Sequence, residues 1–171
     1  EGAGVDMPQS LRESGYIVDV IQARDITLNL LQQYDAVVVG IRAYDTDNGL
    51  VVTQPILFSY VKKGGTVVTQ YNTINELRTD VLAPYDLKLS RKRVTDEHSP
   101  VRLIAKKHPV LNSPNVITPK DFEGWVQERG LYFPDEWSDE FTPILGMSDK
   151  GEKELKGALL VAEYGEGHFV Y

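Results

Sequence analysis

The sequence predicts an α/β fold in which a mainly parallel sheet lies between two layers of helix, and three observations lead there. The first is the apolar, β-branched run Ala36-Val37-Val38-Val39, which follows the turn-like Tyr34-Asp35 and ends at Gly40; a run of this kind suits a strand buried on both faces. The second is a matching run, Thr66-Val67-Val68-Thr69, entered through Gly64-Gly65. The third is the stretch between them, where Val52, Ile56, Leu57, Tyr60 and Val61 recur at helical spacing, with Lys62 and Lys63 at the C-terminal end and Gly64 placed as C′ residue. A parallel pair joined by a helix crosses over right-handedly, and ligands on such sheets bind beyond the carboxyl ends of the strands. Two polar segments fall at that place: Gly40-Ile41-Arg42-Ala43-Tyr44 and Gln70-Tyr71-Asn72-Thr73.

Taken in order, the chain opens with Glu1-Gly2-Ala3-Gly4, then a helix from about Met7 to Glu13 with Asp6 as N-cap and Pro8 in its first turn, ended by Gly15. Tyr16 to Ile21 reads as a strand and Asp25 to Gln33 as a helix. A doubly wound, flavodoxin-like sheet carries a strand just ahead of such an opening loop, so its first strand is missing here. Either residues upstream of Glu1 belong to the same domain or the strands pair in some other way. Gly2-Ala3-Gly4 lacks the GxGxxG spacing of a dinucleotide cradle and reads as a tight turn. Further on, Asn75 to Leu82 reads as a short helix, and Leu87 to Leu89 as an extended segment. Val101 to Ile104, Pro143 to Met147 and Ala158 to Tyr164 read as strands, with a turn at Gly165-Glu166-Gly167 leading into His168 to Tyr171. The proline-punctuated stretch His108 to Asn115 should be irregular, with one helical turn.

At 171 residues, the chain is long enough for a single domain that buries roughly 70% of its unfolded surface. No apolar run approaches the roughly 18 residues of a membrane span. The formal charge of −7 argues against a general nucleic-acid binder. The local exception, Arg91-Lys92-Arg93, reads as a solvated or salt-bridged turn. The absence of cysteine excludes disulfides, thiolate zinc sites and cysteine nucleophiles within these residues. With no initiator methionine or signal-like segment, the sequence reads as a processed product or a piece of a larger multidomain protein.

Chemistry concentrates in Asp121 to Phe133, where Trp125, Gln127, Glu128 and Arg129 stand among further aromatics. Such a mixture grips sugars and other amphipathic ligands; equally, the aromatics pack a loop while Glu128 and Arg129 pair at the surface. His98, His108 and His168 are scattered without metal-ligand spacing, Asp96-Glu97 and Asp135-Glu136 do not share a rigid face, and no GxSxG elbow occurs. No catalytic residue, metal site or cofactor is assigned.

The strand-end segments, together with Ser90-Arg91-Lys92-Arg93-Val94-Thr95, His108-Pro109-Val110-Leu111-Asn112 and Asp121 to Phe133, resemble the C-terminal region of large bacterial LmbE/PIG-L family proteins. In these, a zinc-dependent N-deacetylase domain is followed by a class I glutamine-amidotransferase-like domain, a three-layer sandwich, and the likeness runs over nearly the whole chain. The His-Pro-Asp-Asp-type zinc signature is absent, since His108-Pro109 continues as Val110-Leu111. The nucleophilic cysteine of glutaminase chemistry is absent too.

The resemblance therefore implies a non-catalytic accessory domain that binds a ligand, with a carbohydrate as the expected class, or docks on the deacetylase domain of the same polypeptide. It also implies a periplasmic or extracellular location. The expected ligand-binding residues are Arg42, Tyr44, Gln70 and Asn72 at the strand ends, with Trp125, Gln127, Glu128 and Arg129 as a loop closing over them. Amides and Arg groups would form hydrogen bonds, and Trp125 or Tyr44 would stack. The rival readings are a hydrolase pairing Glu128 or another carboxylate with His108 or His168, and a purely structural module.

Overall fold

A computed structural model describes Gly2, Gly4 and residues 6–171. The helices are α1 (Met7–Glu13), α2 (Leu28–Leu31), α3 (Ala43–Thr46) and α4 (Asn48–Lys62). The strands are β1 (Ala36–Val39), β2 (Thr66–Thr69), β3 (Leu87–Leu89), β4 (Arg93–Val94), β5 (Arg102–Leu103), β6 (Gly130–Leu131), β7 (Pro134–Trp137), β8 (Phe141–Met147), β9 (Leu155–Tyr164) and β10 (Gly167–Val170). The chain divides into two compact units, residues 1–84 with 163–171, and residues 85–162.

In the first unit β1, α4 and β2 form the expected crossover. β1 and β2 pair in parallel, Ala36 opposite Thr66 and Val39 opposite Thr69, and β10 adds parallel to the other side of β2. β2 is thus paired on both edges, and Val67 with its neighbour Phe169 on β10 is fully buried. Asp47 caps α4 by accepting from the Gly49 N–H at 2.7 Å. The buried stripe of α4 is Leu50, Gln54, Leu57, Tyr60 and Val61. Val52 is 79% exposed, because two residues on from Leu50 turns it about 200° round the helix. Gln54 is buried on an otherwise apolar face because its side-chain amide donates to the Val81 carbonyl at 2.6 Å.

The second unit is antiparallel throughout. β3 pairs with β7, β4 with β6, and β8 lies between β5 and β9. These strands meet through short antiparallel ladders, and β8 buries four residues in succession, Ile144 to Met147, so no crossover helices are needed.

This pairing overturns the flavodoxin-like, class I glutamine-amidotransferase-like expectation of a mainly parallel three-layer sandwich. Among the described residues β1·β2 and β2·β10 register in parallel, whereas β3·β7, β4·β6, β5·β8 and β8·β9 are antiparallel. The physical reason lies in the second half of the chain. Its described residues hold no long helix for a parallel crossover, and the chain returns antiparallel, β6 to β4, β7 to β3, and β8 to β5.

Other expectations shift locally. Tyr16 to Ile21 forms no strand, Asn75 to Leu82 no helix, and the helix expected from Asp25 to Gln33 shortens to α2, capped by Thr27. Asp6 stands at the start of α1 without a side-chain capping bond. The Gly2-Ala3-Gly4 turn includes Ala3, which lies outside the described residues. Val38, expected to be buried on a two-sided strand, is 38% exposed, because β1 ends the strand order of its sheet.

The turn into β10 tests how tightly the first unit is closed. A Cβ on Gly167 would stand 2.2 Å from both the Gly65 and Val61 carbonyl oxygens, and backbone atoms cannot swing aside. Gly167→Ala is expected to cost about 2–3 kcal/mol in urea unfolding, while an equivalent change at Gly151, with open space around it, should act only through its positive φ.

Candidate functional site

The carboxyl ends of β1, β2 and β10 gather the polar residues of the first unit. After β1 the chain turns through Arg42 in the left-handed region, φ 56°, a conformation that costs a non-glycine residue about 1 kcal/mol or more. The turn is held by the Arg42 N–H donating to the Tyr71 carbonyl at 2.6 Å. Its side chain donates through Nε to Asp45 Oδ2 at 3.2 Å, and through the terminal nitrogen to Glu76. These partners hold the Arg42 guanidinium above its ordinary pKa, the hydrogen bond to Asp45 foremost.

Asp45 is 2% exposed. One oxygen accepts from Arg42 and from the Thr73 N–H at 2.9 Å; the other has no hydrogen-bond partner. Asn72, fully buried, brackets the two loops: its carbonyl oxygen accepts from the Tyr44 N–H at 3.1 Å and its amide donates to the Gln70 carbonyl at 2.8 Å. Arg78 closes the far side by donating to the Asp45 carbonyl at 2.6 Å.

Four buried side-chain atoms among the described residues lack a hydrogen-bond partner, Asp45 Oδ1, Thr69 Oγ1, Gln70 Oε1 and Thr73 Oγ1, while the buried phenols of Tyr44 and Tyr171 face Gln54 and Asn72. All four lie at or after the carboxyl ends of β1 and β2. An orphaned buried polar group costs about 1–3 kcal/mol, so four in two neighbouring loops call for an explanation. Burial pushes the Tyr44 phenol up to about 12, against the opposing effect of Gln54. Burial likewise raises the Tyr171 phenol well above its ordinary range, with Asn72 acting the other way.

Of the residues expected from the sequence, the first unit brings together Arg42, Tyr44, Gln70 and Asn72. Tyr44 is fully buried, which leaves its ring no face for stacking, and both ends of the Asn72 amide are occupied. Asp45, Thr73 and Tyr171 were missed. Thr73 stood in the strand-end segment 70–73 and Asp45 one residue beyond 40–44, while Tyr171 had no signal, because the sequence does not display that β10 lies parallel beside β2.

Trp125, Gln127, Glu128 and Arg129 belong to the second unit and find partners there. Trp125, 48% exposed, stacks on Phe122 at 6.1 Å with an interplanar angle of 14°, and the Arg129 guanidinium stands 5.9 Å from its ring centroid. Arg129 also donates to the Ser99 and Phe122 carbonyls at 2.9 and 2.8 Å. Glu128 pairs with Arg93, and the Gln127 N–H donates to Glu97. Asp149 pins the same region. It accepts from the Thr95 and Asp96 N–H groups and the Thr95 hydroxyl, which hold its carboxyl down at about 2. An open cleft of about 330 Å³ is lined by Arg91, Lys92, Arg93, Glu152, Lys153 and Leu155, with Lys92 paired to Asp135.

No cluster of three or more His, Asp or Glu among the described residues is placed to hold a metal ion. His98 projects into solvent, 84% exposed, beside Asp96 and Glu97; His108 accepts from the Val110 N–H at 3.2 Å; and His168 lies exposed on β10. No helix among the described residues is long and apolar enough to cross a membrane.

No protein-family model matches the chain, nor does any curated protein sequence. Among solved structures it is similar to Cytoplasmic Protein STM3548 from Salmonella typhimurium, with 18% identity and a TM-score of 0.54, over 95% of this chain and 71% of that one. It is also similar to Cytoplasmic Protein STM1381 from Salmonella typhimurium LT2, with 19% identity and a TM-score of 0.57, over 99% of this chain and 74% of that one. At such identity the likeness is one of fold. Both neighbours are named as cytoplasmic proteins, which conflicts with the expectation of a periplasmic or extracellular location.

Two outcomes follow from the geometry. Asp45→Ala strands the Thr73 N–H and leaves Arg42 with Glu76 as its carboxylate partner, and should cost about 2–3 kcal/mol in chemical denaturation. Asp149 has a folded pKa below its ordinary 3.8, so its contribution to stability is present above about pH 4 and is lost as pH falls through about 2. Asp149→Asn should flatten the acid limb of a pH–stability curve in that window and leave the slope above about pH 5 unchanged.

Proposed function

We propose that this chain is a non-catalytic accessory domain that binds a small polar ligand, of carbohydrate class, at the carboxyl ends of β1, β2 and β10. One observation carries the reading: the buried atoms without partners, Asp45 Oδ1, Thr69 Oγ1, Gln70 Oε1 and Thr73 Oγ1, stand at or after the carboxyl ends of the parallel pair β1 and β2, the end at which parallel strands take ligands. Their chemistry suits a polyol. Asp45 Oδ1 and Gln70 Oε1 accept, while the hydroxyls of Thr69 and Thr73 each donate or accept, so a ligand rich in hydroxyls meets partners of both kinds. Arg42, with its side chain 35% exposed, and Glu76 form the solvent-side rim, and their ion pair is the contact a ligand exchanges on entry.

The likeness of the loop motifs to LmbE/PIG-L proteins makes the deacetylase domain of the same polypeptide the natural partner. A non-catalytic role is supported by the placement of the histidines, since the carboxylates nearest His98 are solvated and Glu128 is engaged with Arg93.

Calorimetry and thermal shift with amino sugars and N-acetylated sugars test this. A ligand at a hundred times its dissociation constant stabilises the native state by about 2.7 kcal/mol. The stabilisation should vanish in Gln70→Leu and in Thr73→Val, each of which removes an orphaned group while keeping its approximate volume. If a folded protein shows no shift with any of these sugars, or the two variants shift as the parent does, the reading fails.

A further inference from the structure

We infer that the guest of the strand-end site is an acidic sugar of the uronic acid class, whose carboxylate takes the place of Glu76 on the Arg42 guanidinium. The inference rests on the carbohydrate reading above and narrows it to the charged members of that class.

The two carboxylates on Arg42 are held very differently. Asp45 is buried, and the oxygen that accepts from Arg42 Nε also accepts from the Thr73 N–H at 2.9 Å. Glu76 has its side chain 62% exposed and stands on chain that forms neither helix nor strand between β2 and β3. A rotation of its own side chain is enough to carry it into solvent. Arg42 stays where it is, because its backbone N–H is bound to the Tyr71 carbonyl and its Nε to Asp45. What remains is a fixed guanidinium edge already shown to accept a carboxylate. Glu76 meets that edge at one oxygen, whereas a guest carboxylate approaching in the guanidinium plane can use both of its oxygens.

Charge decides which guest fits. Arg78 also stands at this point, donating through Nε to the Asp45 carbonyl at 2.6 Å and through its backbone N–H to the Tyr44 carbonyl at 3.1 Å. Arg42 and Arg78 thus balance Asp45 and Glu76. With Glu76 turned away, one positive charge is left over. A monoanionic carboxylate restores the balance and a neutral sugar does not, while a phosphate monoester, at about −1.5 to −2 near pH 7, exceeds it. The hydroxyls of the same sugar meet the buried atoms without partners on Asp45, Thr69, Gln70 and Thr73.

Calorimetry on the 171-residue chain compares glucuronate and galacturonate with glucose, galactose and N-acetylglucosamine, and with glucose 6-phosphate. The uronates should bind about tenfold or more tightly than the neutral sugars at low salt, and the preference should narrow at about 0.5 M salt. Glu76→Gln removes the competing charge at an exposed position and should raise uronate affinity about two- to fivefold, the strength of one surface ion pair. Arg42→Gln should bring the ratio of uronate to neutral-sugar affinity to about one; Glu76→Gln carries the test should Arg42→Gln fail to fold. Uronates bound no more tightly than the neutral sugars overturn the inference and leave the carbohydrate reading standing. So does unchanged uronate affinity in Glu76→Gln, or glucose 6-phosphate bound ahead of both uronates. A folded protein that binds none of these sugars overturns both.

Discussion

The parallel register of β1, β2 and β10 is the constraint on which the first unit depends. Because β2 is flanked on both edges, its backbone is fully bonded and its central residue Val67 is sealed, as is Phe169 beside it. Three strands running in one direction must also end in one place. Whatever follows them, Gly40 onward, Gln70 onward and Tyr171, is drawn together irrespective of its distance in the chain. The polar character of those three exits therefore becomes a concentration of unsatisfied hydrogen-bonding capacity only through the register.

The strand-end region is stabilised by its own polar network and left incomplete by it. Asn72 ties the two loops by using both ends of its amide, and Asp45 gathers Arg42 and the Thr73 N–H on one oxygen. These bonds fix Arg42 in a left-handed backbone conformation that no glycine relieves. The second oxygen of Asp45 and the hydroxyls around it remain without partners. The second unit is the opposite case: Asp149, Arg129 and Glu128 are each engaged in tying loops to one another.

Much of the first unit was legible because its signals are local. The runs 36–39 and 66–69, the helix between them and the polar exits all stand at their expected positions. Elsewhere a tertiary partner decided. Val52 fits a helical apolar pattern but faces out, since Gln54 reaches Val81 and turns the Leu50–Gln54–Leu57–Val61 stripe inward. Tyr16 to Ile21 has strand composition but no neighbour to pair with, and β-propensity without a partner makes no ladder. Tyr171 was invisible as a site residue because nothing in the chain announces that β10 returns beside β2.

By itself, the sequence determined the β1–α4–β2 crossover, the absence of cysteine chemistry and the polar composition of the strand exits, because propensity, periodicity and residue identity are local properties. The tertiary structure alone decided that the second half pairs antiparallel, that Trp125 and Arg129 make their contacts within their own unit, and that Asp45, Thr69, Gln70 and Thr73 each keep a buried polar atom without a partner. Strand direction and burial depend on which distant segments meet, and hydrogen-bond satisfaction can be counted only once those neighbours are in place.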